Sequence, residues 1–110
     1  SVRHPALPGC PGHWLWKRDF TGSSGLFSIF LADGSTREGL RAMLDGMRVF
    51  TMGYSWGGYE SLIIPFDCRS YRSATQGHAG LALRISIALE DIEDLTRDLE
   101  LGFERLKQTQ

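Results

Sequence analysis

The sequence has 110 residues, 42% of them hydrophobic, and a formal net charge of −1. This suits one domain with a modest core and is too apolar for a disordered chain. The basic residues are scattered, so neither a nucleic-acid footprint nor a polybasic membrane patch is expected, and no apolar run approaches the roughly 18 residues of a membrane span.

Residues 1–23 read as loop. Pro5, Pro8, Gly9, Pro11, Gly12 and Gly22 punctuate them, and the start, Ser1-Val2-Arg3-His4-Pro5, has no signal-peptide core. The aromatic stretch His13 to Phe20 is expected to pack on a neighbouring surface, since the charge balance speaks against nucleic acid. Leu26 to Leu31 is nearly continuous apolar sequence rich in β-branched and aromatic residues, which predicts a buried strand. Ser35 and Glu38 have the capping-box spacing, with Ser35 as N-cap. Leu40, Met43, Leu44 and Met47 follow at helical spacing, so a helix is expected to about Arg48.

Val49 to Gly53 and Glu60 to Pro65 read as two more strands around a glycine-bearing loop, Tyr54 to Tyr59. Their short link predicts antiparallel pairing. Residues 66–79 are polar and irregular. Gly80 to Leu89 is the clearest strand, with Leu81, Leu83, Ile85, Ile87 and Leu89 on one face. Asp91 is placed to cap a last helix whose stripe is Ile92, Leu95, Leu99, Phe103 and Leu106, with a frayed tail from Lys107 to Gln110. The order predicts an α+β fold: a small two-layer domain, mostly antiparallel, with about four strands and the helices on one face.

Two features point to chemistry. The second face of the last strand presents Ala82, Arg84, Ser86 and Ala88, one guanidinium among small side chains. Arginine pairs bidentately with a planar anion, although an internal ion pair with Glu60 or Glu90 is the competing reading. Ser55-Trp56-Gly57-Gly58 is a turn able to bring backbone N–H groups close to an anion, or an ordinary strand connection. Cys10 and Cys68 are too few for a disulfide scaffold and fit a reduced, cytoplasmic setting. Cys10-Pro11-Gly12-His13 resembles half a zinc site, but Cys68, His4 and His78 form no second pair, so no metal is expected. The only lysines are Lys17 and Lys107.

Ser-Trp-Gly-Gly-Tyr-Glu-Ser-Leu at 55–62 and Leu-Arg-Ile-Ser-Ile-Ala-Leu-Glu-Asp-Ile-Glu-Asp-Leu at 83–95 together resemble the carboxy-terminal domain of the Cys/Met-metabolism family of pyridoxal-phosphate enzymes. His4 to Pro8, Pro11 to His13, Lys17 to Phe20 and Gly25 to Ser28 agree, so the resemblance covers nearly the whole chain. Trp14 stands where Glu is common, and residues 66–79 match weakly. Trp56 is similar to the bacterial cystathionine β-lyases, whereas γ-lyases and γ-synthases more often have Leu there.

The resemblance implies that Arg84 holds the α-carboxylate of a substrate, with Ser55, Trp56 and Tyr54 lining that end of the pocket. It implies an α,β-elimination of L-cystathionine or a related sulfur amino acid in a homotetrameric parent. Residues 1–23 would enter from an absent amino-terminal cofactor domain, and 24–110 would form the small carboxy-terminal domain. Neither lysine matches the family's cofactor-lysine motif. No catalytic or cofactor-binding residue is therefore expected in this segment, and the chain alone is expected to be inactive. A γ-lyase, γ-synthase, methionine lyase or sulfhydrylase, a free-standing amino-acid-binding module, and a purely packing domain stay open.

Overall fold

The alternating run around Leu83 becomes the middle strand of a five-stranded sheet. The computed structural model describes residues 1–54, 58–66 and 81–108. In chain order its elements are β1 (Val2–Arg3), α1 (His13–Asp19), β2 (Leu26–Phe30), α2 (Arg37–Asp45), β3 (Thr51–Met52), β4 (Leu62–Phe66), β5 (Ala82–Ser86) and α3 (Ile92–Gln108). The sheet order is β1-β2-β5-β4-β3, antiparallel except between β3 and β4.

One face of the sheet packs beneath α2 and α3. Ile63, Leu83 and Ile85 from the sheet are fully buried with Met43 from α2, and Leu95 and Leu106 from α3 join the same cluster. This is the expected α+β arrangement, with five strands among the described residues where the sequence suggested about four. The helices touch closely where α3 has Gly102: a Cβ there would lie 3.0 Å from the Met47 methyl and 3.1 Å from Met43 Cγ.

Several expectations need correction. Residues 1–23 are not all loop: β1 pairs with β2, Val2 opposite Ile29, and α1 forms after Gly12. No residue of α1 is buried, so no apolar stripe announced it. The N-cap of α2 is Thr36 rather than Ser35. Thr36 has extended backbone angles, and its hydroxyl accepts from Gly39 N at 3.0 Å. Glu38 then lies in the first turn, where its charge suits the helix dipole. The helix ends at Asp45, three residues earlier than expected.

The pairing of β3 with β4 is parallel, with Thr51 opposite Leu62 and Met52 opposite Ile63. A link of about nine residues can span roughly 30 Å. Because β3 has only two residues, that reach is ample to bring the chain back to the start of β4. Leu89 and Ile92 are exposed, at 83% and 67%, because β5 stops at Ser86 and the chain turns before α3. Asp91 does cap α3, its Oδ1 accepting from Glu93 N at 2.8 Å. The helix continues through Lys107 to Gln108 instead of fraying there.

The buried stripe of α3 holds a charge. Asp98 Oδ1 accepts from Arg48 N at 2.9 Å, and Oδ2 accepts from Val49 N at 2.8 Å and Phe50 N at 2.9 Å. Burial pushes this carboxyl up, but the three N–H donors and the nearby Arg105 charge prevail and hold it below the ordinary carboxylate value. Arg105 itself donates to the Ala42 and Met43 carbonyls at the end of α2, at 3.1 and 2.7 Å. Those are terminal carbonyls that the helix cannot satisfy internally. α3 therefore closes both the exit of α2 and the entry to β3 with two side chains.

Candidate functional site

The face of the sheet away from the helices is built in three cross-strand rows. Phe30, Ala82 and Phe66 lie opposite one another; Ser28, Arg84 and Ile64 form the next row; Leu26, Ser86 and Leu62 form the third. Residues opposite each other share a face, and rows two residues apart share it too. The sequence anticipated small residues around Arg84 but not their burial. Ala82 lies between two phenylalanines whose centroids are 6.4 Å apart, and Ser86 between two leucines, so both are buried.

Arg84 is thus a cation in the middle of a largely apolar face. Its Nη2 donates to the main-chain carbonyl of Tyr54. No carboxylate among the described residues lies within 4 Å of its guanidinium; the ion pair found among them is Arg18 with Asp19, far along the chain on α1. Among the described residues the competing reading therefore finds no partner. Glu90 instead accepts from Ser61 Oγ at 2.6 Å and Ser61 N at 2.9 Å. Those two bonds from Ser61, side chain first, hold the Glu90 carboxyl below its ordinary value.

Arg84, Tyr54, Ser28, Ile64, Pro65 and Phe66 line a concavity of about 360 Å³. A guanidinium has five N–H donors, and one carbonyl leaves most of them able to meet a planar anion. Tyr54 is 81% exposed and lines this space, with its main-chain carbonyl on the cation. Ser55 and Trp56, the other expected site residues, lie outside the described residues. Ser28, Ile64 and Phe66 were not foreseen. They reach Arg84 only through strand register, although Ser28 stood out as the one polar residue in Leu26 to Leu31. A larger groove of about 640 Å³ runs beside α2, past Arg37, Leu40 and Met52, but contains neither Arg84 nor Tyr54.

The amino-terminal histidines are engaged with backbone. His13 Nδ1 lies 2.7 Å from the Pro5 carbonyl, where it donates. His4 Nδ1 accepts from Ala6 N at 3.1 Å, which leaves Nε2 to donate to Ser24 O at 3.2 Å. Among the described residues no three His, Cys, Asp or Glu side chains gather to hold a metal.

The profile of the family described as Cys/Met metabolism PLP-dependent enzyme matches residues 1–104. The chain belongs to this family. It is 50% identical over 109 residues to cystathionine beta-lyase MetC of Escherichia coli (strain K12), and 51% identical over 109 residues to cystathionine beta-lyase of Salmonella typhimurium. Each alignment covers 96% of this chain and 28% of the relative. The fold agrees with the crystal structure of cystathionine gamma synthase from Xanthomonas oryzae pv. oryzae in complex with cystathionine. The TM-score is 0.79 at 34% identity, over 100% of this chain and 30% of that one. This member of the Cys/Met metabolism family thus spans less than a third of the length of these relatives.

The family's cofactor does not fit the lysines of this chain. Lys17 is exposed in the last turn of α1, Lys107 is exposed in the last turn of α3, and neither lines the Arg84 concavity. The chain has no other lysine.

Proposed function

We propose that this chain is the substrate-carboxylate-holding part of a cystathionine β-lyase, a carbon–sulfur lyase that depends on pyridoxal phosphate. The observation that carries the proposal is Arg84: a guanidinium set in a concave, mostly apolar face, bonded to the Tyr54 carbonyl, with no carboxylate partner among the described residues. The overall reaction would convert L-cystathionine and water to homocysteine, pyruvate and ammonia. The cofactor, held by residues outside this chain, would supply the electron sink for the substrate's Cα.

The part played by this chain is orientation. Arg84 would receive the α-carboxylate in a bidentate pair, with Tyr54, Ser55 and Trp56 bounding the same end of the substrate. Fixing the carboxylate fixes which Cα bond faces the cofactor, and such positioning lowers the entropic part of the barrier. The apolar rows flanking Arg84 strengthen the pair by keeping the local dielectric low.

The same reading places residues 1–23 next to a cofactor-binding domain and gives the parent a homotetrameric assembly. Exposed Trp14, Leu15 and Phe20 around α1 support a partner surface there. A cytoplasmic setting suits Cys10, which is a free thiol. No helix among the described residues is long and apolar enough to cross a membrane.

Assay of the full-length enzyme for pyruvate against 2-oxobutyrate tests the reaction. Pyruvate is expected; 2-oxobutyrate would move the proposal to a γ-lyase. Calorimetry of cystathionine into the 110-residue chain tests the role of the part. Negligible binding is expected, and micromolar binding would favour an independent amino-acid-binding module.

A further inference from the structure

Ser61 is fully buried, yet every polar atom it has is bonded, and its bonds reach two different neighbours of its own strand. It stands immediately before β4. Its carbonyl accepts from Thr51 N, the first residue of β3, at 3.1 Å. Its hydroxyl accepts from Ala88 N at 2.9 Å and donates to Glu90 Oε1 at 2.6 Å, while its N–H donates to Glu90 Oε2 at 2.9 Å. Ala88 and Glu90 belong to the chain leaving β5. One residue therefore joins the edge of the sheet to its centre across the strand that separates them.

Tyr54 and Arg84 sit on those same two arms. Tyr54 lies two residues beyond β3, at the edge; Arg84 lies on β5, at the centre. With only two residues, β3 has little ladder of its own to fix its place on β4. Asp98 holds the entry to β3, and the Thr51–Ser61 bond fixes β3 against β4 on the side nearer Tyr54, with Glu90 locating Ser61. A hydroxyl-to-carboxylate bond of this length is charge-assisted and strong.

We propose that the Ser61–Glu90 pair is a clasp that sets the Tyr54 carbonyl on Arg84, and so presents the guanidinium in the geometry that receives a carboxylate. Ser61 and Glu90 are positioning residues in this account, acting through Tyr54 and Arg84. The proposal rests on the reading of Arg84 given above, and its test separates the two.

The test compares Ser61→Ala, Glu90→Gln, Glu90→Ala and Arg84→Leu in the full-length enzyme. Steady-state kinetics with cystathionine, thermal melting and amide hydrogen exchange are read on each. Glu90→Gln keeps the side chain's size and one acceptor oxygen, so it remains informative if Ser61→Ala or Glu90→Ala fails to fold. Loosening the seat of the Arg84 guanidinium is expected to raise KM roughly tenfold in the clasp variants and to lower kcat by a smaller factor, because the carboxylate is both held and oriented less well. Glu90→Gln should be milder than Glu90→Ala. Exchange at Thr51 to Tyr54 should quicken while α2 keeps its protection.

Unchanged KM with a lowered melting point in the clasp variants, while Arg84→Leu still raises KM, would overturn the clasp and leave the Arg84 reading standing. Unchanged KM in Arg84→Leu would overturn that reading. The carboxylate-presenting part of the clasp falls with it, and exchange then judges only the placing of Tyr54: faster exchange in the clasp variants confined to Thr51 to Tyr54 upholds that placing, and unaltered exchange there overturns it.

Discussion

The guanidinium of Arg84 on the central strand meets the main-chain carbonyl of Tyr54, which follows the edge strand, so the two sides of the candidate site are joined directly. In the full-length enzyme, Arg84→Leu is expected to lower kcat/KM by at least roughly 30-fold, since breaking a desolvated charge pair costs about 2–5 kcal/mol. The cofactor's absorbance spectrum should stay intact. Arg84→Lys keeps the charge but loses the planar fork, so it should recover only part of the loss. A cofactor-free Arg84→Leu enzyme would contradict the assigned role.

Asp98 makes stability depend on pH. Its carboxyl is held below the ordinary value in the folded chain, by three backbone donors and Arg105 acting against burial. Such a group contributes stability above its unfolded-chain pKa and loses that contribution as the pH falls through the folded value. Urea unfolding from pH 7 down to the acid side of the ordinary carboxylate range should therefore show falling stability. Asp98→Asn should be less stable at pH 7 by roughly 1.5–3 kcal/mol, and its pH dependence should be flatter.

Gly25 tests the join between β2 and β5. A Cβ at this position would lie 2.6 Å from the Ile87 carbonyl oxygen, and Ile87 N donates to Gly25 O at 2.8 Å. Backbone cannot step aside as a side-chain tip can. Gly25→Ala is expected to cost about 1–3 kcal/mol, an overpacking penalty. A melting temperature equal to that of the parent chain would contradict this contact.

Incubated with pyridoxal phosphate and then dialysed, the 110-residue chain should retain no stable visible absorbance band. Lys17 and Lys107 are exposed on helices that contribute nothing to the Arg84 concavity. A lasting band that disappears in Lys17→Ala or Lys107→Ala would overturn the assignment of the cofactor to residues elsewhere.

The strands β2 and β5 and the helices α2 and α3 were legible because burial on one side writes itself into periodicity. The cap at Asp91 was legible from side-chain chemistry alone. α1 was not, because a helix with no buried side chain needs no stripe. The parallel pairing of β3 was also hidden, since link length constrains direction weakly when a strand has two residues. Asp98 did leave a trace. Leu95, Asp98, Gly102 and Leu106 fall at helical spacing, and a charge on that stripe signals a buried carboxylate with donors waiting for it. Of the residues lining the Arg84 concavity, Arg84 followed from the strand pattern and Tyr54 from the family resemblance. Ser28 and Ile64 could not be placed beside them, because cross-strand register is a long-range property.

The central ladder joins Leu26 to Ser86 and Phe30 to Ala82, residues about fifty to sixty positions apart. As the chain is synthesised, β2 leaves the ribosome long before the strand that completes it. Until β5 arrives, Leu26 to Phe30 is an unpaired apolar edge able to join any other extended segment. Closing so long a loop before its contacts form is slow compared with forming α2 or α3. The interval between the two strands is therefore when newly made chains are most exposed to aggregation, and when a chaperone that covers apolar strands would raise the yield of folded protein.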